Sequence, residues 1–158
     1  MAGMGAHQTH GNAEKVWLTP LEIVEALGPF DLDLCFGSPR PWDTAANHYG
    51  PEAAGGLGGL HASWSGLVWC NPPYDREASK WLAKCADHGN AIALIFARTE
   101  PEQFHRQVWD RATAVFFFEG RLFFHHPDGR RAKHKCGAPS VLVCYGEEAV
   151  ARVSSAPG

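Results

Sequence analysis

The segment that most constrains this chain is Ala91 to Phe96, six consecutive apolar residues between Gly89-Asn90 and Ala97-Arg98. Such a run has no polar face to turn to water. It reads as a strand buried on both sides, as in a parallel sheet covered by helices. The neighbouring segments obey the same layout. Gly66 to Cys70 reads as a short buried strand that breaks at Asn71-Pro72-Pro73-Tyr74. Residues 75–88 read as a helix with Ala78, Trp81, Leu82 and Cys85 on one face, ended by Gly89. Pro101 to Arg111 reads as a helix with Phe104 and Val108 inward, and Thr113 to Phe118 as a strand ending at Glu119-Gly120. Leu122 to Phe124 is short and apolar, and Val141 to Tyr145 is a last strand before a short C-terminal helix or tail. Alternation of this kind argues for an α/β layered sheet, with binding at the carboxyl ends of the strands.

Upstream, Leu21 to Gly28 reads as a helix ended by Gly28-Pro29. Thr19 is its expected cap, with Pro20 at the first position and Glu22 at the capping-box spacing. Phe30 to Phe36 alternates apolar and acidic residues and reads as a strand ending at Gly37-Ser38-Pro39. Residues 39–63 form a long, weakly patterned loop with room for a short strand; loops of that length are often functional. Residues 1–15 lack periodicity and read as a flexible tail. The expected organisation is one domain over 16–150 and a C-terminal tail over 151–158.

The formal net charge is −3, so any contact with nucleic acid must come from a local basic patch rather than a global surplus. The five cysteines are odd in number and contain no Cys-x-x-Cys pair, which points to reduced thiols rather than a disulfide framework. No apolar run reaches the about 18 residues of a membrane span, and no signal-peptide pattern precedes the helix. The expectation is a soluble cytoplasmic protein without a membrane partner.

The sharpest chemical signal is Asn71-Pro72-Pro73-Tyr74, placed directly after a buried strand. An exocyclic amino group on a base is a poor nucleophile because its lone pair is delocalised into the ring. An Asn side-chain oxygen and a Pro carbonyl can each accept one N–H from that group and aim its lone pair at a methyl donor. Pro72 and Pro73 stiffen the turn, since each fixes its own φ. Tyr74 offers a flat face on which an extruded base can stack. No strong base is needed, because a sulfonium leaving group makes the transfer easy once the geometry is set. Read blandly, the same tetrapeptide is a turn.

A second, weaker signal is Phe30 to Gly37, with Asp31 and Asp33 in a strand beside a glycine turn. Such an acidic residue can hold an ammonium or a ribose hydroxyl of a cofactor; it can equally be a solvated carboxylate at a sheet edge. No Gly-x-Gly-x-x-Gly occurs, so a nicotinamide enzyme lacks its fingerprint.

Five pieces in order then carry a resemblance. They are Trp17-x-Thr19-Pro20; Leu32-Asp33-Leu34-Cys35; Trp64 followed by Val68-Trp69-Cys70-Asn71-Pro72-Pro73-Tyr74; Trp81; and Gly120-Arg121-Leu122-x-Phe124. With these the chain resembles the phage-type DNA N6-adenine methyltransferases, a Dam-related family. The resemblance implies a Rossmann-like class I methyltransferase fold, a mostly parallel sheet with a C-terminal antiparallel strand and helices on both faces. It implies S-adenosylmethionine as cofactor and double-stranded DNA as substrate, methylated at adenine N6 after base flipping, in the host cytoplasm if the protein is phage-encoded. By that likeness Asn71, Pro72, Pro73 and Tyr74 hold the adenine. Trp17, Thr19, Pro20, Asp31, Asp33 and Cys35 serve the cofactor, with Asn47 or Asp43 as candidates for its ribose. The chain departs from a full glycine-rich first motif at Cys35 to Pro39.

Arg98 and Arg121 each follow a strand and are candidates for DNA contact, or else for surface salt bridges. Arg130, Arg131, Lys133 and Lys135 form the dense basic stretch, read as a DNA-contacting loop or a solvated hairpin. His125, His126, His134 and Cys136 are ligand types without a finger spacing, so no metal is expected. Two other classes share these features: an amino methyltransferase acting on protein glutamine or RNA, and an inactive DNA-binding relative. The oligomeric state stays open between monomer and homodimer.

Overall fold

The computed structural model describes residues 17–34, 40–49, 58–73 and 76–157. Tyr74, Cys35, the Gly37-Ser38-Pro39 turn and the expected N-terminal tail lie outside the described residues.

Six strands form one sheet: β1 Leu32–Asp33, β2 Asn47–His48, β3 Val68–Cys70, β4 Ala91–Phe96, β5 Ala114–Phe117 and β6 Ser140–Tyr145. Their order is β2-β1-β3-β4-β6-β5. The first four run parallel, and β6 inserts antiparallel between β4 and β5. This is the mostly parallel sheet with one C-terminal antiparallel strand that the sequence led us to expect. The helices are α1 Leu21–Leu27, α2 Ala78–His88, α3 Glu102–Phe104, which runs into a π-helical turn His105–Trp109, and α4 Glu147–Ser155.

The run at β4 behaves as its composition requires. Ala91, Ala93 and Ile95 face one core, with Trp81, Leu82, Cys85, Phe104 and Val108. Ile92 and Leu94 face the other, with Val24, Leu27, Trp69 and Ala149. Successive side chains of a strand point to opposite faces, so a strand with no polar residue needs helices on both. Here α2 and the α3 segment cover one face while α1 and α4 cover the other. Gly89 caps α2 at φ +74°, a left-handed conformation that glycine adopts without strain, and its N–H reaches the Cys85 carbonyl at 3.0 Å.

Several expectations are corrected in detail. Helix α1 begins one residue late: Pro20 occupies the cap position and no side chain caps the helix. Thr19 therefore lies outside the first turn, and its buried hydroxyl makes no hydrogen bond. Among the described residues of the expected Phe30–Phe36 strand, Leu32 and Asp33 form the β1 ladder, and Ala46 N–H to Phe30 O (3.0 Å) and Leu34 N–H to Trp69 O (3.4 Å) extend the pairing on both sides. Among its described residues the long loop holds β2 and a 3-10 turn, Gly58–Leu60. Periodicity placed Phe104 and Val108 inward correctly but could not show that the helix widens to a π turn at His105–Trp109, around Val108. Residues 151–155, expected in a tail, continue α4, and Val153 packs on the second core.

Leu122 to Phe124 is one arm of a hairpin rather than a strand of the main sheet. Cys136 N–H to Leu122 O (2.9 Å), Ala132 N–H to Phe124 O (2.8 Å) and His126 N–H to Arg130 O (2.8 Å) join its arms. Before β3, Lys84 of α2 donates to the carbonyls of Gly59 (3.1 Å), Leu60 (2.6 Å) and Ala62 and lies 4.7 Å from the Trp64 ring. That brace fixes the approach to β3 against α2. The described cysteines Cys70, Cys85, Cys136 and Cys144 are free thiols. Among the described residues no helix is long and apolar enough to cross a membrane.

Candidate active site

The chain leaves β1 for β2 on one side and returns to β3 on the other, so the sheet reverses its winding between β1 and β3. In open α/β sheets the crevice outside such a reversal is where ligands bind. A cavity open to solvent lies there. Its floor is Asp33, the last residue of β1, together with Trp69 of β3 and Asn71, one residue past β3. Two further stretches supply its walls: Trp17, Leu18 and Thr19, and Arg40, Pro41, Trp42 and Thr44.

Four of the residues singled out in the sequence thus meet in one place: Trp17, Thr19, Asp33 and Asn71. They come from segments as far apart as positions 17 and 71. The link is direct, since Asn71 Nδ2 donates to the Trp17 carbonyl at 2.8 Å. That bond orients the amide. Pro72 is buried and Pro73 half-buried behind it. Asp33 is only 6% exposed, and its Oδ2 accepts the Thr44 hydroxyl. Pro20 is buried beside Thr19 but is not part of the cavity lining.

Asp31 and Asn47 stand elsewhere. The Asp31 carboxylate accepts the Leu67 N–H at 2.7 Å, on the approach to β3. A side chain at Gly66, where φ is +71°, would collide with that carboxylate at 2.1 Å. Glycine there lets the Asp31 carboxylate close on the chain, so Asp31 braces β1 to β3 from the amino end. Asn47 Nδ2 donates to the Asp31 carbonyl at 3.2 Å, and its side chain is exposed. Asp43 is also outside the cavity and pairs with Arg40 at 2.9 Å.

Sequence reasoning missed Leu18, Arg40, Pro41, Trp42, Thr44 and Trp69. The available signal was the length of the 39–63 loop and its proline and tryptophan content. His48 was missed as well. Its Nε2 accepts the backbone N–H groups of Thr44 and Ala45, each at 3.3 Å, with the Thr44 hydroxyl at 3.2 Å. A nitrogen that accepts two amide donors is unprotonated. Burial, and next the positive charge of Arg40, hold the His48 pKa below the ordinary 6.5, against an opposing pull from Asp43. Because the folded pKa is lowered, His48 contributes stability that is complete above about pH 6.5 and is lost as pH falls through the lowered value. Between about pH 8 and about pH 5, wild-type protein should therefore lose melting temperature faster than His48→Gln, whose side-chain oxygen accepts at any pH. Parallel melting curves across that range would refute the role.

The hairpin is anchored to both cavity walls. Leu18 and His125 exchange backbone hydrogen bonds of 2.8 and 2.9 Å. The Trp17 ring lies 5.0 Å from His126 and Trp42 stands edge-on to His125 at 5.5 Å. The hairpin tip at Gly129 approaches Pro41 so closely that a Cβ would sit 3.0 Å from it. The basic residues therefore ride on an element fixed to the cavity. Arg131 stacks over Phe123 at 4.0 Å, with Lys135 at 5.8 Å, and Arg130 pairs with Asp128 at 2.6 Å. Lys133 and Arg121 are exposed, and exposed Arg98 lies 5.9 Å from the Phe96 ring past β4. His125 and His126 face tryptophans, and the Cys136 thiol donates to the Ala138 carbonyl at 3.0 Å. Among the described residues no group of three or more His, Cys, Asp or Glu side chains gathers to hold a metal.

A family model described as DNA N-6-adenine-methyltransferase (Dam) matches residues 6–155. The chain belongs to this family. The match covers both cavity walls, β3 with Asn71, and the basic hairpin, so a Dam-family methyltransferase is the frame in which the cavity must be read. No curated protein and no solved structure matches the chain.

The residues present fit a sulfonium cofactor bearing an amino acid. Thr19 is 5% exposed, its hydroxyl has no partner, and it lines the cavity. An unpartnered buried hydroxyl is costly and calls for a ligand or water. Asp33 supplies a negative charge for a cation, and Trp17 and Trp42 supply aromatic surface for a flat ring.

Proposed function

We propose that this Dam-family chain uses S-adenosylmethionine to methylate N6 of adenine in double-stranded DNA, with the target base flipped into the cavity beside Asn71. The observation that carries the reading is the convergence of Asp33 and Asn71 on one cavity at the reversal of the sheet. Asp33, Thr19 and Trp17 would hold the cofactor. When bound, it supplies a methyl group on a positively charged sulfur that departs as a neutral thioether.

The protein's part is orientation. The Asn71 side-chain oxygen and the Pro72 carbonyl accept the two N–H bonds of the adenine amino group. This draws the nitrogen lone pair out of conjugation with the ring and aims it across the cavity. Both acceptors are neutral, so the rate gain comes from positioning rather than from a strong base, and the proton that the methylated nitrogen sheds passes to solvent. Tyr74, the last residue of the motif, stacks on the extruded base. Transfer of labelled methyl from S-adenosylmethionine to unmethylated duplex DNA, followed by nucleoside analysis, tests the reading. N6-methyladenine is the expected product. Label in RNA or protein alone would replace the substrate, and failure to bind the cofactor would remove the enzyme.

DNA contact is assigned to the hairpin residues Arg130, Arg131, Lys133 and Lys135, and to Arg121 and Arg98. Each lysine or arginine that meets a phosphate releases a counterion and steepens the salt dependence. Replacing the four hairpin cations by glutamine should lower the slope of log affinity against log salt by up to about 4. Arg130 already pairs with Asp128, so Arg130→Gln alone should change binding least of the four. Titrations with fluorescent duplex at several salt concentrations read both effects. An unchanged slope would move the DNA contact elsewhere.

A further inference from the structure

At β5 the cover over the sheet gives out. Every residue of β6 is buried, whereas Ala114, Val115 and Phe116 of β5 are half-buried and Phe117 is 56% exposed. Val115 packs against the first core, and Ala114, Phe116 and Phe118 against the second. Phe117 follows Val115 by two residues and so shares its face. Trp109, 48% exposed, stands on that same side, edge-on to Phe104 of the first core at 5.4 Å. Trp109 and Phe117 are the exposed large apolar side chains among the described residues. Edge strands are ordinarily blunted by charge, proline or brevity. The opposite edge, β2, is a polar dipeptide, but β5 has four residues and carries neither charge nor proline.

Hydrogen bonding fixes which main-chain groups of β5 point outward. The Ser140 carbonyl of β6 accepts the Phe118 N–H at 3.3 Å, and the Pro139 carbonyl accepts the Ala97 N–H at 2.8 Å on the other side of β6. Main-chain groups alternate along a strand, so Val141 and Val143 turn theirs to β4. Phe117 and Val115, paired opposite them, turn theirs away from β6. Among the described residues no strand lies beyond β5 to meet them. An antiparallel copy of the same strand does. With Val115 opposite Phe117 of the second copy, and Phe117 opposite its Val115, strand residues alone form four hydrogen bonds. Setting Val115 against itself would call on Thr113, whose N–H is already given to the Cys144 carbonyl at 2.8 Å. Setting Phe117 against itself would bring in the charged Glu119. The remaining register also places small against large: Ala114 faces Phe118, Val115 faces Phe117, and Phe116 meets its own copy at the two-fold axis. Pairs of an aromatic and a β-branched residue across strands are stabilising.

We propose that β5 pairs antiparallel with β5 of a second copy of this chain and joins the two sheets into one across a two-fold axis. The pairing is isologous, so it uses up the edge and closes as a dimer instead of growing into a filament. Strands β4 and β6 stand between β3 and β5, so the interface is remote from the cavity at the β1–β3 reversal and independent of the cofactor reading.

Sedimentation velocity of the full chain over a concentration series is the test. A short edge makes a small interface, so wild-type protein should dimerise with a dissociation constant of about 1–100 μM. Val115→Pro removes two of the four bonds, yet its lost N–H faces outward, so the β5–β6 ladder is kept. Phe117→Lys places a charge on the edge. Each variant should weaken the dimer by about 10- to 100-fold while melting as a folded protein. Should Val115→Pro fail to fold, Phe117→Lys decides. Amide hydrogen exchange supplies the second readout: the Val115 and Phe117 N–H groups should be protected in the dimer and lose protection on dilution. A wild-type chain that stays monomeric up to about 500 μM overturns the proposal. So does a dimer that folded Phe117→Lys leaves unchanged. Protection of Val115 and Phe117 that persists in the monomer also overturns it, because another segment of the same chain would then cover the edge.

Discussion

Asn71→Ala should lower methyl transfer by about 10²-fold or more while the protein still folds and still binds cofactor. Asn71 is half-buried, and its Nδ2 bond to the Trp17 carbonyl is one structural interaction the substitution deletes. A neutral hydrogen bond of that kind is worth only about 0.5–1.5 kcal/mol, so stability should fall little. What the site loses is the acceptor that orients the reacting amino group, and a misplacement of about 1 Å in a reacting atom can cost about 10²-fold in rate. Asn71→Asp makes the prediction sharper. It keeps an acceptor oxygen in the same place but puts a carboxylate against the Trp17 carbonyl, so it should fall between wild type and alanine. Single-turnover transfer to duplex DNA, with cofactor titration and a melting curve on the same samples, separates the roles. Near-normal transfer by Asn71→Ala would sink the assignment. A collapse of the fold would make Asn71 a scaffold residue instead.

The parts of this molecule that were legible in advance were those set by local periodicity. Ala91 to Phe96 has one solution, a strand covered on both faces, and β4 matches it residue for residue. Trp81, Leu82 and Cys85 recur at helical spacing and are buried together on α2. Asn71 was visible because a stiff turn after a buried strand is local. What could not be read was anything decided by distant partners. The 122–136 hairpin depends on the exchange between Leu18 and His125, more than a hundred positions apart. Nothing near Arg40, Trp42 or Thr44 announces that they close a cavity with Thr19. Capping logic even pulled Thr19 the wrong way: a threonine before proline is a good cap, but here Pro20 takes that position and the hydroxyl is left for the cavity. The orphaned hydroxyl is a local rule broken at a site, and such breaks are where function is expected.

The same contrast yields the second large effect, because sequence alone treats Asp31 and Asp33 alike. They differ in what holds them. Asp33 is 6% exposed at the carboxyl end of β1 and lines the cavity; Asp31 is exposed and fastens β1 to the Leu67 N–H at 2.7 Å. Asp33→Ala should weaken S-adenosylmethionine binding by about 10- to 100-fold, the range of a lost charge-assisted bond. The melting temperature should move less than this loss suggests, since the buried charge disappears with its Thr44 partner bond. Asp31→Ala should do the reverse. Cofactor affinity stays as in wild type, and stability falls by about 1 kcal/mol, a shift of about 2–4 °C for a domain of this size. Calorimetric titration and melting curves on the two variants decide the matter together. Two losses of affinity would mean that the cofactor reaches toward the amino end of β1. No loss in Asp33→Ala would leave the cavity without its anion and shift the candidate cofactor site away from the β1–β3 reversal.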